Sequence, residues 1–268
     1  MTEGLRLEGP MNGSTANRPP RRRCLPGRGR AGSSRRLAER RTARVWGPAA
    51  IALGLVLAAP SGWGQSEPPT QEAALHIARL HYGGGGDWYS NPSSMPNWMR
   101  AFQQRTGILT HTEEIVVQPA EDALYRYPIA YMNGHGTVAF SEAEAAALRT
   151  WMEAGGFLWA DDNYGMDASF RREVKRIFPD KELVELPNDH ALFRCFYTLP
   201  GLPKIHEHDG KAPQALVIRD KGRIVLLYTY ETDIGDGLED PEVHKDSPEK
   251  REAAMQMATN ILIFAMTQ

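Results

Sequence analysis

The strongest constraint on the fold of this chain is a helix that stops at two glycines and hands over at once to a buried strand. Ser141 and Glu144 have the spacing of a capping box, in which each side chain bonds the other residue's backbone N–H. Ala145, Leu148 and Met152 then recur at helical spacing. Gly155-Gly156 ends the helix, and Phe157-Leu158-Trp159-Ala160 reads as a strand that ends at Asp161-Asp162. A strand apolar on both faces needs cover on both, which places it in a parallel sheet between helical layers. The rest of the chain keeps the same rhythm. Strands are expected at about 75–82, 114–117, 129–132 and 183–186, helices at about 97–105 and 168–177, and a last helix opens at Ser247-Pro248. Two β-rich runs, 215–218 and 224–230, flank Lys221-Gly222 and read as an antiparallel hairpin that adds edge strands. The expected architecture is an α/β doubly wound, flavodoxin-like three-layer sandwich, mostly parallel, with that late antiparallel hairpin.

Residues 1–64 follow a different logic. They hold twelve arginines and no lysine, and their acids are Glu3, Glu8 and Glu39. The apolar stretch from Val45 to Ala59 is too short for a membrane-spanning helix, which needs about 20 residues. A basic segment, a short apolar core and small residues up to Gly64 describe an export signal, cleaved near Gly64. Ser34-Arg35-Arg36 hints at the twin-arginine route, although Ala38 and Glu39 stand where apolar residues would be wanted. Residues 65–73 then form a polar linker and 74–268 a single domain, expected in the periplasm or outside the cell and without a transmembrane helix. The leader carries +9 and the whole chain −2, which leaves −11 on the domain. So acidic a domain is a poor partner for phosphate backbones, which excludes nucleic acid and leaves a ligand or a cell-envelope protein. Cys24 belongs to the leader and Cys195 is then alone, so the domain forms neither an internal disulfide nor a cysteine-based metal site. Cys195 lies among Leu192, Phe193, Phe196 and Tyr197 and reads as a buried small hydrophobe.

Candidate chemistry gathers where strands end, because open α/β sheets build their sites at the carboxyl edge. If the strand ran on through Asp161 and Asp162, the two side chains would point to opposite faces; they converge only if the backbone turns between them. The neighbouring strand ends in Asn133-Gly134-His135-Gly136, and a histidine opposite an aspartate can relay a proton or bind metal. Tyr82-Gly83-Gly84-Gly85-Gly86-Asp87-Trp88 should open on the same edge; it lacks the Lys-Ser/Thr of a phosphate loop and reads as a flexible loop over the site. The expected ligand-binding residues are therefore Asp87, Trp88, His135, Asp161 and Asp162. A second cluster holds His206, His208 and Asp209, then Asp233, Asp236, Glu239, Asp240 and His244. Imidazoles and carboxylates in these numbers read first as solvated loop positions; they can also bind a divalent cation, with His206, His208, Asp233 and Asp236 as the candidate ligands. The spacing matches no EF-hand and no His-Glu-x-x-His helix, and no Gly-x-Ser-x-Gly elbow occurs. No other cofactor is indicated.

Taken jointly, Gly83 to Trp88, Tyr131 to Gly136, Gly155 to Asp162, Phe178-Pro179, Asp189-His190 and Asp233 to Asp240 resemble a bacterial family known as domain of unknown function 4159. The resemblance covers nearly all of residues 74–268 and implies a fold related to class I glutamine amidotransferases. Those enzymes carry a nucleophilic cysteine after the helix–glycine–strand unit. Here Asp161-Asp162 stand there, and a carboxylate cannot form the thioester that amide transfer needs. The resemblance thus implies architecture and cleft position, and no catalytic residues. The leading expectation is an exported, non-catalytic ligand- or partner-binding domain; the alternative is a metal-assisted hydrolase using Asp and His ligands at the carboxyl edge.

Overall fold

The computed structural model describes residues 74–268; the expected export signal and linker lie outside the described residues. Seven strands form one sheet in the order β2-β1-β3-β4-β7-β6-β5. They are β1 (Ala78–Leu80), β2 (Ile115–Val117), β3 (Ile129–His135), β4 (Phe157–Tyr164), β5 (Val184–Glu185), β6 (Gln214–Asp220) and β7 (Arg223–Tyr230). The helices are α1 (Ser94–Thr106), α2 (Glu142–Glu153), α3 (Asp167–Ile177), α4 (Ile234–Gly237), α5 (Pro241–His244) and α6 (Pro248–Thr267). None is long and apolar enough to cross a membrane.

Alternation along β4 shows how the layers form. Leu158 and Ala160 join one core with Leu148 and Met152 of α2 and Phe170 and Val174 of α3. Phe157 and Trp159 join the other, with Trp98 and Phe102 of α1 and Met257 and Ile261 of α6. Helices therefore cover both faces, as strands apolar on both sides require. The Ser141–Glu144 capping box forms as the spacing indicates.

Several expectations are corrected. The hairpin forms, but β7 is not an edge strand. It pairs in parallel with β4 on one side and antiparallel with β6 on the other. Residues Ile224 to Thr229 are all buried, and a strand buried on both faces belongs inside a sheet. β1 is shorter than expected, with an isolated bridge from Leu75 to Thr110 before it. α1 starts at Ser94 rather than 97, because Pro96 falls in the first turn, where its missing N–H costs nothing. β3 and β4 run further than their apolar cores suggest, and β4 carries on through both aspartates. Cys195 is exposed by residue area rather than buried. Its Sγ still turns inward, 3.2 Å from the Asn260 carbonyl, and desolvation raises the thiol pKa, which disfavours the thiolate.

Candidate functional site

Because β4 stays extended, its two aspartates part company. Asp161 points to the α1/α6 face, fully buried, where it accepts from the Thr229 hydroxyl and from the Gly235 N–H at 2.7 Å. Burial pushes its pKa up to about 8. Asp162 points to the α2/α3 face and accepts from the Met166 N–H at 3.1 Å, with the Tyr228 hydroxyl 3.0 Å from its other oxygen. Burial again dominates and raises it to about 6. The two acids are no dyad. His135 does not face Asp161 either; its Nδ1 lies 3.1 Å from Asp87 Oδ2, and its side chain is half exposed. This pair sits between the carboxyl ends of β1 and β3, where the strand order reverses. The Trp88 ring packs against His81, tilted by 31° with the centroids 4.1 Å apart. The five expected ligand-binding residues thus share the carboxyl edge but occupy separate places on it: Asp87, Trp88 and His135 at the rim, Asp161 beneath α4, and Asp162 on the opposite face.

The late histidine and acid cluster, in contrast, comes together. The turn from β7 into α4 holds Glu231 and Asp233 in left-handed backbone (φ 58° and 57°), a strain non-glycine residues rarely accept. It presents Asp233 and Asp236. The loop before β6 supplies His206 and His208, and α5 supplies His244. His206 Nδ1 lies 2.9 Å from Asp236 Oδ2 and 3.3 Å from Asp233 Oδ2; His244 Nδ1 lies 3.6 Å from Asp236 Oδ2. His208 Nε2 also meets Asp233 Oδ2. One donor atom each of His206, Asp236 and His244 fall within 4.8 Å of one another. Ligands held tetrahedrally at 2.0–2.1 Å from an ion are about 3.4 Å apart, so these separations suit a shared cation.

The surroundings orient the cluster. His206 Nε2 is 3.1 Å from both Asp246 oxygens, which turns Nδ1 toward the other donors, the usual role of a carboxylate behind a metal-bound histidine. Asp236 Oδ1 accepts from Asn91 and Asn163, leaving Oδ2 for the histidines. Asp233 Oδ1 is buried without a hydrogen-bond partner. Gly235, between the two acids, is tied down by Asp161. Behind them, buried Arg79 donates to the Asn91 carbonyl at 3.3 Å and to the Asn133 side chain, while its Nε lies 2.8 Å from Glu114 in an ion pair without hydrogen-bond alignment. The local field is negative: the hydrogen bonds that His206 donates to Asp233 and Asp236 raise it to about 10. Burial pushes Asp233 up, whereas for Asp236 the bonds from His206 and Asn91 outweigh burial and hold it low.

A family model described as a domain of unknown function, DUF4159, matches residues 76–266. The chain belongs to this family. No curated protein matches it. All the donors named above fall within the DUF4159 match, as do Asn91, Asn163 and Asp246. Asp246 and the two asparagines escaped sequence reasoning because their role is to hold a ligand from a distance in the chain, and no local spacing records that. His244 was visible as one member of the acidic, histidine-rich run.

The DUF4159 domain also opens a cleft of about 330 Å³ beside the cluster, lined by Asp162, Tyr164, Asp167, His208, Lys211 and Glu231 among others. The Tyr164 ring stacks on His208 at 4.7 Å, so His208 is a wall shared by cleft and cluster. At Asp161-Asp162 β4 makes no elbow and stays extended to Tyr164.

Proposed function

We propose that this DUF4159 domain binds a divalent metal ion through His206, Asp236 and His244, with Asp233 and His208 completing the site, and hydrolyses a substrate held in the adjoining cleft. The observation that carries the reading is the convergence of imidazole and carboxylate donors at coordination spacing, with one buried Asp233 oxygen unpaired inside it. The second support is the outer ring of Asp246, Asn91 and Asn163, which orients donors as metal sites require. A bound divalent ion would polarise a carbonyl or activate water at neutral pH. The chain's own residues hold it, keep His206 in one tautomer and present His208 to the cleft.

Elemental analysis of the full-length protein tests this. About one zinc, manganese or similar ion per chain is expected, lost in both His206→Ala and Asp236→Asn. Metal-free protein that takes up no zinc, manganese or magnesium in titration calorimetry would overturn the reading. Hydrolysis is tested separately, by whether turnover of ester and amide probes follows metal loading. A binding domain without catalysis would show metal uptake and no turnover.

The strand order β2-β1-β3-β4, with β7 next in parallel, supports a flavodoxin-type core and an amidotransferase-like ancestry. The arginine-rich and apolar leader supports export, which cell fractionation would check.

A further inference from the structure

The cleft holds a second constellation that the metal reading does not use. Asp162 Oδ2 lies 3.0 Å from Tyr228 Oη, and the same Oη lies 3.1 Å from Asp167 Oδ1. Asp167 Oδ1 also receives the Arg171 Nε–H at 2.6 Å. A phenol has one proton and cannot donate it to two carboxylates at once. Every contact is satisfied when Asp162 carries a proton, gives it to Tyr228 Oη, and Tyr228 gives its own to Asp167. Asp162 is 3 % exposed yet lines the cleft wall.

We propose that Asp162 is the proton donor of the cleft, with Tyr228 and Asp167 as its positioning residues. Its substrate is a neutral molecule whose departing oxygen or nitrogen leaves poorly unless protonated. An anion such as a phosphate ester is disfavoured, because the carboxylates of Asp167, Asp209 and Glu231 line the cleft against Lys211. In the transfer, the Asp162 O–H bond breaks and its proton goes to the departing atom. Tyr228 then turns its O–H from Asp167 to the new carboxylate, and Asp167 keeps Arg171. The bond from the departing atom to the rest of the substrate breaks as it takes the proton, its electron pair staying on the departing atom, and a water molecule adds to the atom left behind and gives a proton to solvent.

The environment supports the role. Desolvation is the main reason Asp162 holds its proton to about pH 6, and the charges of Asp167 and Asp233 add to it. Tyr82 faces it from the loop after β1, and the Arg171 guanidinium lies 5.8 Å over the Tyr228 ring. An acid that titrates near the working pH is what general acid catalysis favours. Asp167 is ion-paired with Arg171, while Asp162 lies against the Tyr228 phenol instead.

The test does not depend on the metal. Full-length protein with ¹³C-labelled aspartate is titrated by carboxyl NMR in the presence of chelator, with Asp162→Asn identifying the resonance. The expected midpoint is about 6, falling by about one unit in Asp167→Asn as the like charge is removed. A midpoint in the ordinary aspartate range, or one that Asp167→Asn leaves in place, would overturn the proposal. Should Asp167→Asn not fold, Tyr228→Phe serves: a midpoint displaced by about half a unit or more is expected, and an unmoved one overturns the relay.

Discussion

Replacing Asp161 by asparagine should stabilise the protein at neutral pH, and the gain should grow with pH. Asp161 is fully buried and its folded-state pKa is about 8, against an ordinary value of 3.8. A carboxyl raised in this way contributes its full stability below pH 3.8 and loses it progressively as pH rises toward 8. Each unit in that window costs about 1.4 kcal/mol, so by pH 7 the wild type has lost about 4 kcal/mol. Asparagine escapes that loss without breaking the network. Its amide can donate to Thr229 Oγ1 in place of the bond that Asp161 accepts from that hydroxyl, and its oxygen can accept the Gly235 N–H. Thr229 still receives the Trp159 indole N–H at 3.0 Å and turns its own hydroxyl to the Ala160 carbonyl at 3.3 Å. The measurement is urea unfolding of full-length wild type and Asp161→Asn at pH 5 and pH 7, with chelator present so that no metal adds its own field. The stability gap should widen by about 2.7 kcal/mol between the two, a difference in which constant offsets cancel. A gap that stays the same across those two units would refute the reasoning and mean that Asp161 is ionised in the fold throughout.

Asp246→Asn should leave the fold intact and weaken zinc binding about 10- to 100-fold in titration calorimetry, because the amide no longer fixes the His206 tautomer. Gly235→Ala should cost about 1–3 kcal/mol in urea unfolding. Its new Cβ would sit 2.6 Å from the buried Tyr131 hydroxyl and 3.3 Å from Asp161 Oδ2, with no room for either to yield. Ser141→Ala removes the acceptor for the Glu144 N–H at the start of α2 and should cost about 1 kcal/mol by the same assay.

Local features of the fold were legible where local rules govern. The Ser141 cap, the Gly155-Gly156 stop and the apolar core of β4 each follow from residues a few positions apart. The period-two rule also foretold that Asp161 and Asp162 would diverge if the strand ran on. Whether it ran on was decided by partners that the sequence around it does not name: β3 on one side and β7 on the other satisfy its backbone, and Thr229, Gly235, Met166 and Tyr228 satisfy its acids. The hairpin signal at Lys221-Gly222 says that β6 pairs with β7. It is silent on what lies across the other edge of β7, although the unbroken apolar run from Ile224 was the clue that something did. The four metal candidates were found from residue type alone, and the structure brings them together. Asn91, which anchors Asp236 across 145 positions of chain, carries no signal that one sequence could reveal.

The placement of β7 also bears on how the molecule is made. It enters the sheet between β4 and β6, so the long flank of β4 stays without a mate until the last third of the chain has emerged. Pairing over such separations is slow, and an open strand flank invites pairing with a neighbouring chain. Conditions that delay that closure, or changes that weaken the Lys221-Gly222 turn, should therefore show first as inclusion bodies rather than as soluble protein with impaired sites.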